Sequence, residues 1–433
     1  MQNYIITWVY CDPQTEESSY TQMGSNSSET SFQEIYWKCA YVFFKTSIIN
    51  NPSAKHLLFT NNQDIPFIEG VSLKDKFASM NVEVIEIPLT FNTPPDYFFS
   101  WRNQFYLFDI LAYLGRHLEP DDNVIVLDSD CIFTKPAEPI FKDLVRYPAL
   151  VYSLPFNEYE DIHGLSRMQM LDVYNKISDS DYAEYPTYYG GEWFAAKVSY
   201  IRLLNSMIPN IWLKNMNLHL QGKLKFNEEA HMLSFLYDES CAELGSANSY
   251  IRRMWTISSI RRDIQNTDTE LIIWHCPSEK KYGISALFDS LWQDENNLLT
   301  EEAQLHLTNH LGKYFGIPNE QERNNSTDQG VLKQIESIQR IHGPIAIFGS
   351  GSYGVSVLNL LHNFDISPYA FIDNDSKRWG TLVESIPVIS LNEMEDNTFI
   401  LIASYASTEI EKQLLDHGLS KDDQFMIYTF YNN

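Results

Sequence analysis

Asn123-Val124-Ile125-Val126-Leu127-Asp128-Ser129-Asp130 sets four apolar residues directly before two carboxylates separated by one small residue. A short continuous apolar run reads as a strand buried on both faces, the pattern of a parallel sheet. In open α/β sheets, ligands bind just beyond the carboxyl ends of such strands. Two aspartates at i and i+2 in that place can present oxygens to one hard divalent cation. Mg2+ takes one or two carboxylates together with substrate phosphates. The stretch therefore reads as a metal-assisted diphosphate site.

The triplet alone would not carry this, because the chain holds two more. Asp179-Ser180-Asp181 lies in a polar run with no strand before it and reads as turn or cap chemistry. Asp373-Asn374-Asp375 follows an apolar run but belongs to a later unit. Context singles out Asp128 and Asp130, against the plainer reading of a solvated turn after a strand.

Working outward, Tyr4 to Tyr10 reads as a first strand, and Ser18 to Thr30 as a polar loop near its end. Helical spacing follows over Glu34 to Ile49, then strands at Lys55–Phe59 and Val82–Ile87, and a helix over Asn103 to Leu118. This alternation predicts an α/β domain on a mostly parallel sheet. Leu150 to Gln293 is more mixed, with aromatic and polar loops suited to an acceptor face.

A polar stretch without periodicity at 316–330 is expected to link residues 1–315 to a smaller Rossmann-like α/β domain at 331–433. That domain is expected to open with a helix over Val331–Ile341. The strand of Pro344 to Phe348 then runs into Gly349-Ser350-Gly351-Ser352-Tyr353-Gly354 at the mouth of a further helix, the context of a dinucleotide fingerprint. Asp373 stands 19 residues after Gly354 (373 − 354), where a carboxylate can meet a ribose hydroxyl. Gly349, Gly351, Gly354 and Asp373 are thus candidate nucleotide contacts. The same glycines serve tight turning and helix–strand packing with no ligand, so a structural or docking role stays open.

The formal net charge of −26 argues against nonspecific nucleic-acid binding, which rests on phosphate neutralisation. Hydrophobic content of 44% supports sizeable cores. The five cysteines are scattered with no Cys-x-x-Cys pair, which suits neither a disulfide framework nor a zinc site. With no secretory pattern at Met1 and no apolar run near the roughly 20 residues of a membrane helix, the chain reads as cytoplasmic. Its oligomeric state is open.

Further candidates surround the aspartates. Arg102 offers a guanidinium fork for phosphate. His275 follows the apolar run Leu271–Trp274 and is placed to supply a third metal ligand, with lysines a few residues on to neutralise a leaving diphosphate. Glu192 follows the Gly190-Gly191 pair, and Glu229 sits at a helix head. Either carboxylate is a candidate for acid–base work.

These residues together resemble GT-A-type glycosyltransferases over the first 315 positions. The likeness lies in the first strand, Phe59-Thr60-Asn61, Trp101-Arg102-Asn103-Gln104-Phe105, Asp128-Ser129-Asp130, Gly190-Gly191-Glu192, and His275 with Lys281. The resemblance implies Mn2+ or Mg2+ on Asp128, Asp130 and His275. It implies donor contacts at Thr7, Tyr10, Asn61, Arg102, Asp128 and Lys281, with a UDP-sugar favoured as donor and a hydroxyl acceptor. The late motif is similar to that of retaining, glycogenin-like members, with Ser278 standing where that family has glycine. The C-terminal domain is similar to Rossmann-like units of polysaccharide-biosynthesis enzymes.

Other readings remain. An NAD(P)-dependent sugar-modifying oxidoreductase would use the C-terminal Gly-rich turn, and a non-catalytic nucleotide-sugar-binding protein would use the same fold. A nucleotidyltransferase needs a Gly-rich basic loop after the first strand, where this chain has the acidic Cys11-Asp12-Pro13-Gln14-Thr15-Glu16-Glu17.

Overall fold

The computed structural model describes residues 1–14, 17–18, 27–62, 64–178, 180–255, 263, 265, 267–294, 307–317, 334–362, 364–404 and 406–428 of the 433. The chain divides into two compact units, one of Met1–Met254 with Gln265–Phe315 and one of Trp255–Ile264 with Gly316–Asn433. Asp179, most of 316–330 and the start of the helix expected from Val331 lie outside the described residues. Among the described residues, no helix is long and apolar enough to cross a membrane.

The first unit is built on a seven-stranded mixed sheet. In space its order is Gly245–Ser246, Ala149–Val151, Trp193–Lys197, Asn123–Leu127, Asn3–Val9, Lys55–Thr60, Val82–Glu86. Trp193–Lys197 runs antiparallel to both its neighbours, and every other pairing is parallel. The chain steps outward from Asn3–Val9 through Lys55–Thr60 to Val82–Glu86, then returns to the other flank of Asn3–Val9 with Asn123–Leu127. The order thus reverses between Asn3–Val9 and Asn123–Leu127, and the crevice beyond their carboxyl ends is the topological switch point.

Sequence explains why this strand is central. Val124, Ile125, Val126 and Leu127 are all buried, and each such side chain contributes roughly 1.5–3 kcal/mol when removed from water. The Thr30–Asn50 helix packs against the sheet, and the Tyr106–His117 helix packs on the Val198–Leu220 helix. At that crossing a Cβ on Gly115 would stand 2.5 Å from Asn205 Nδ2, so glycine is what lets Asn205 reach the Leu111 carbonyl at 2.8 Å. The helix expected from Asn103 begins instead as a 3-10 turn over Arg102–Phe105, entered from Trp101 in the left-handed region (φ 50°).

A second, three-stranded sheet completes the functional end. Cys131–Phe133 pairs antiparallel with Ile273–His275, which pairs in parallel with Ile251–Arg253. This register sets His275 opposite Cys131 and Arg253 beside His275.

The second unit has a six-stranded sheet in the order Leu382–Val383, Ile386–Ile389, Ala370–Ile372, Ile345–Phe348, Phe399–Ile402, Phe425–Ile427. Its pairings are parallel except at the Leu382–Val383 edge hairpin. Helices Ser352–His362 and Ser407–Asp416 follow the strands Ile345–Phe348 and Phe399–Ile402.

Candidate functional site

Asp128 and Asp130 sit where Asn123–Leu127 leaves the sheet. Thr7 Oγ1 donates to the Leu127 carbonyl at 2.9 Å, which fixes the last strand residue across the switch point. A tight turn follows, closed by Cys131 N donating to Asp128 O at 3.2 Å. Cys276 N donates to Asp130 O at 3.1 Å, so the small sheet continues directly into the turn. Residues far apart in sequence meet because two short strands share one register.

The structure brings Asp128, Asp130 and His275 together. His275 Nε2 lies 3.3 Å from Asp130 Oδ1 and 3.9 Å from Asp128 Oδ2. Its Nδ1 lies 3.3 Å from Glu192 Oε1. Glu192 in turn takes a bidentate fork from Arg253, Nε to Oε1 at 2.7 Å and Nη2 to Oε2 at 2.6 Å. Lys280 Nζ donates to Asp130 Oδ2 and stands 5.6 Å from the centre of the Tyr36 ring.

The charges divide the two aspartates. Burial alone would raise Asp130, but Lys280 and His275 overturn it and hold the carboxyl well below the ordinary range. Burial and the neighbouring Asp130 raise Asp128 to about 6. Burial opposes a charged His275, yet Asp130 and Glu192 bring the imidazole up to about 9. Like charges are crowded here, and cationic side chains supply the balance.

A divalent cation fits this set. The carboxylates of Asp128 and Asp130 both stand beside His275 Nε2, and carboxylates crowded in this way are what a cation relieves. Asp130, Cys131 and His275 also form a group whose ligand atoms lie within 4.8 Å of one another. Burial pushes the Cys131 thiol well above its usual range, and the carboxylate oxygens are the harder donors of this cluster.

The remaining candidates are placed as follows. Glu229 is buried at the head of the Glu229–Glu239 helix, with Oε2 lacking a hydrogen-bond partner among the described residues. Burial, Glu228 and Asp128 push its carboxyl well above the ordinary range. A Cβ on Gly191 would stand 2.0 Å from Glu229 Oε1, so Gly191 is the wall against which this acid rests. Arg102 is turned onto its own loop, donating to Thr93 Oγ1 at 3.2 Å and to the Thr93 and Pro94 carbonyls at 3.1 and 3.2 Å. It lines a small crevice with Tyr10, Asp12 and Asn103. Tyr10 meets the Tyr106 ring edge-on at 5.2 Å. Asn61 clasps Cys11 through both backbone groups, at 2.8 and 3.0 Å, and so shapes the end of the first strand. Thr7 is likewise spent on the sheet.

Two residues that sequence reasoning passed over stand at the centre. Lys280, not the exposed Lys281, is the lysine at Asp130. Arg253, on a three-residue strand, orients Glu192. The only local signal for Lys280 was its place beside Lys281; Arg253 had none.

In the second unit, packing accounts for two of the three glycines. A Cβ on Gly354 would stand 1.9 Å from Gly349 O, and one on Gly349 (φ 116°) 2.4 Å from Ala403 O. A Cβ on Gly351 would meet nothing within 4 Å. Asp373 is occupied internally: Oδ2 accepts from Ser350 N at 3.0 Å and from Ser350 Oγ, and Oδ1 from Asp375 N at 2.9 Å.

A family model described as C2185-like, N-terminal, matches residues 342–424. No curated protein matches the chain. Among solved structures, the chain is similar to an active-site mutant of LgtC, at 12% identity and a TM-score of 0.36. That alignment covers 63% of this chain and 86% of the other.

Proposed function

We propose that the first unit is a metal-dependent glycosyltransferase that moves a sugar from a nucleoside-diphosphate donor to an acceptor hydroxyl. One observation carries the reading. Asp128, Asp130 and His275 converge at the topological switch point, with Lys280 on Asp130. The resemblance in sequence favours a UDP-sugar and Mn2+ or Mg2+. The same reading assigns the transferase to residues 1–315.

In this scheme Asp128, Asp130 and His275 hold the cation, which when bound supplies Lewis-acid stabilisation of the diphosphate leaving group. Lys280 keeps Asp130 ionised and aimed. Arg253 fixes Glu192, and Glu192 fixes the His275 ring so that Nε2 faces the aspartates. Such outer partners set ligand orientation and basicity. With both oxygens on Arg253, Glu192 is an orienting group rather than a free base. Glu229, held protonated behind Gly191, is a hydrogen-bond donor to a bound sugar. The anomeric carbon–oxygen bond to the diphosphate breaks, the nucleoside diphosphate leaves with the electron pair, and the acceptor oxygen bonds the anomeric carbon as its hydroxyl proton passes to the departing diphosphate oxygen.

The test is calorimetric titration of the full chain with UDP, GDP and their sugar conjugates, in Mn2+ and again in EDTA. Metal-dependent binding that Asp130→Ala removes is expected. Binding that survives both EDTA and the substitution would overturn the assignment and point to the Gly-rich turn at 349–354.

A further inference from the structure

Trp101 and His163 stack on one another beside the metal-binding cluster, and both stand in the left-handed backbone region. Their φ angles are 50° and 51°, their ring centroids are 4.1 Å apart and their planes are tilted by 32°. His163 and Gly164 (φ 84°) are the central residues of a two-residue turn in which Ile162 and Leu165 exchange backbone hydrogen bonds at 2.7 and 3.2 Å. Positive φ at both central positions is what Asn-Gly usually supplies in such a turn. A bulky residue such as Trp101 is a genuine outlier there, and holding it costs free energy. The surrounding structure must impose it, and such strain clusters at ligand clamps.

What imposes it is visible. His163 Nδ1 is engaged by the buried carboxylate of Glu228, which also accepts from Tyr188 OH at 2.7 Å. Asn227 Nδ2 donates to His163 O at 3.0 Å. On the other side Trp101 packs on Phe32, as does Tyr36. Tyr36 in turn lies under Lys280. Contacts thus run from the stacked pair through Phe32 and Tyr36 to Lys280 and Asp130, and through Glu228 to the head of the Glu229–Glu239 helix. Trp101 and His163 are each only partly buried. His163 Nε2 meets no partner among the described residues, and its side chain is 30% exposed.

We propose that the Trp101–His163 pair is the acceptor subsite, a platform for the apolar face of a pyranose ring; this rests on the glycosyltransferase reading. A pyranose has a hydroxyl rim and faces of weakly positive C–H groups, which suit the negative face of an aromatic ring. His163 Nε2 is left to bond a rim hydroxyl. A few aromatic walls with one placed polar group are the usual make-up of a small-molecule site. Glu228 and Tyr188 are positioning residues: they aim the imidazole and do not meet the sugar.

The experiment is saturation-transfer NMR on the full chain with Mg2+ and UDP, using the methyl glycosides of glucose, galactose, mannose and N-acetylglucosamine as probes. Trp101→Gly suits φ 50° without backbone cost, and His163→Asn restores the preferred turn pair, so both remove a ring while respecting the fold. At least one glycoside is expected to show transfer strongest at its ring C–H protons. That signal should fall about tenfold in either variant, the size of one lost stacking contact, and persist in Trp101→Phe. UDP affinity, measured by calorimetry, should be the same in wild type and Trp101→Gly. Undiminished transfer in both ring-removing variants would overturn the proposal, as would no transfer from any probe to wild type. Loss of UDP binding in Trp101→Gly would overturn it too, because the platform would then hold the nucleobase. Failure of wild type to bind UDP at all is a separate readout, and it counts against the glycosyltransferase reading instead.

Discussion

Lys280 Nζ donates to the carboxylate of Asp130 across 150 residues of sequence, and both groups are buried. Breaking such a pair from one side leaves a buried charge without its partner and costs about 3–5 kcal/mol. Lys280→Ala is therefore expected to weaken metal-dependent donor binding at least about tenfold more than Lys281→Ala. Calorimetry with UDP and Mn2+ on the two variants decides it. Equal effects would remove Lys280 from the site.

The Arg253–Glu192–His275 chain predicts a different signature. Loss of a partner that orients a metal ligand typically costs about 10–100-fold in metal affinity. Glu192→Gln keeps the shape but loses the charge that meets both Arg253 and His275. Arg253→Lys keeps the charge but not the fork. Both variants should lower Mn2+ affinity, read from the free-ion signal in electron paramagnetic resonance, with far-ultraviolet circular dichroism unchanged. Wild-type affinity in both would show that His275 needs no such support.

Gly191 is a test of where Glu229 sits. The added methyl of Gly191→Ala would stand 2.0 Å from Glu229 Oε1, so a buried side chain must move, at a typical cost of about 1–3 kcal/mol. Urea denaturation should show that loss. In the double variant with Glu229→Ala the two effects should fall well short of additive, because the obstacle is gone. Additive losses would mean that the two residues do not touch.

How far the site was legible follows from its physics. Asp128 and Asp130 announced themselves because a fully buried strand has a local signature and its polar end marks the switch point. His275 was legible for the same reason, at the end of Leu271–Trp274. The bond from the Thr7 hydroxyl to the Leu127 carbonyl had no local signal; which way a strand residue points is set by pairing, which a single segment does not encode. Lys280 and Lys281 differ only in how one turn closes, and that turn is shaped by Glu279 accepting from Gly283 N at 2.7 Å. Arg253 lay on a strand too short for any periodicity. The antiparallel course of Trp193–Lys197 has no local signal either, since it depends on partners on both flanks. In the Gly-rich turn, glycines required by packing and glycines that admit a ligand look the same in sequence. Only the space around Gly351 and Gly354 separates them.

His56 gives a prediction about stability that is independent of the site. It is buried on the Lys55–Thr60 strand, with Nε2 2.9 Å from Ser47 Oγ and the ring 6.0 Å from the centre of the Phe44 ring. Its strand neighbours are Ile5 and Val82. Burial lowers its pKa from 6.5 to about 4, against a smaller opposing contribution from a backbone hydrogen bond at Ala54. The folded state therefore holds the imidazole neutral, whereas the unfolded chain takes up a proton once the pH falls below 6.5. Stability is unaffected by this group above that pH, declines as the pH drops from 6.5 toward 4, and levels off below. At about 1.4 kcal/mol for each pKa unit, the full loss is on the order of 3 kcal/mol. His56→Gln, which keeps a polar group near Ser47 but does not titrate, should flatten that limb. Urea midpoints measured at pH 7, 6, 5 and 4 for both proteins are the check, and parallel curves would show that His56 is not the group responsible.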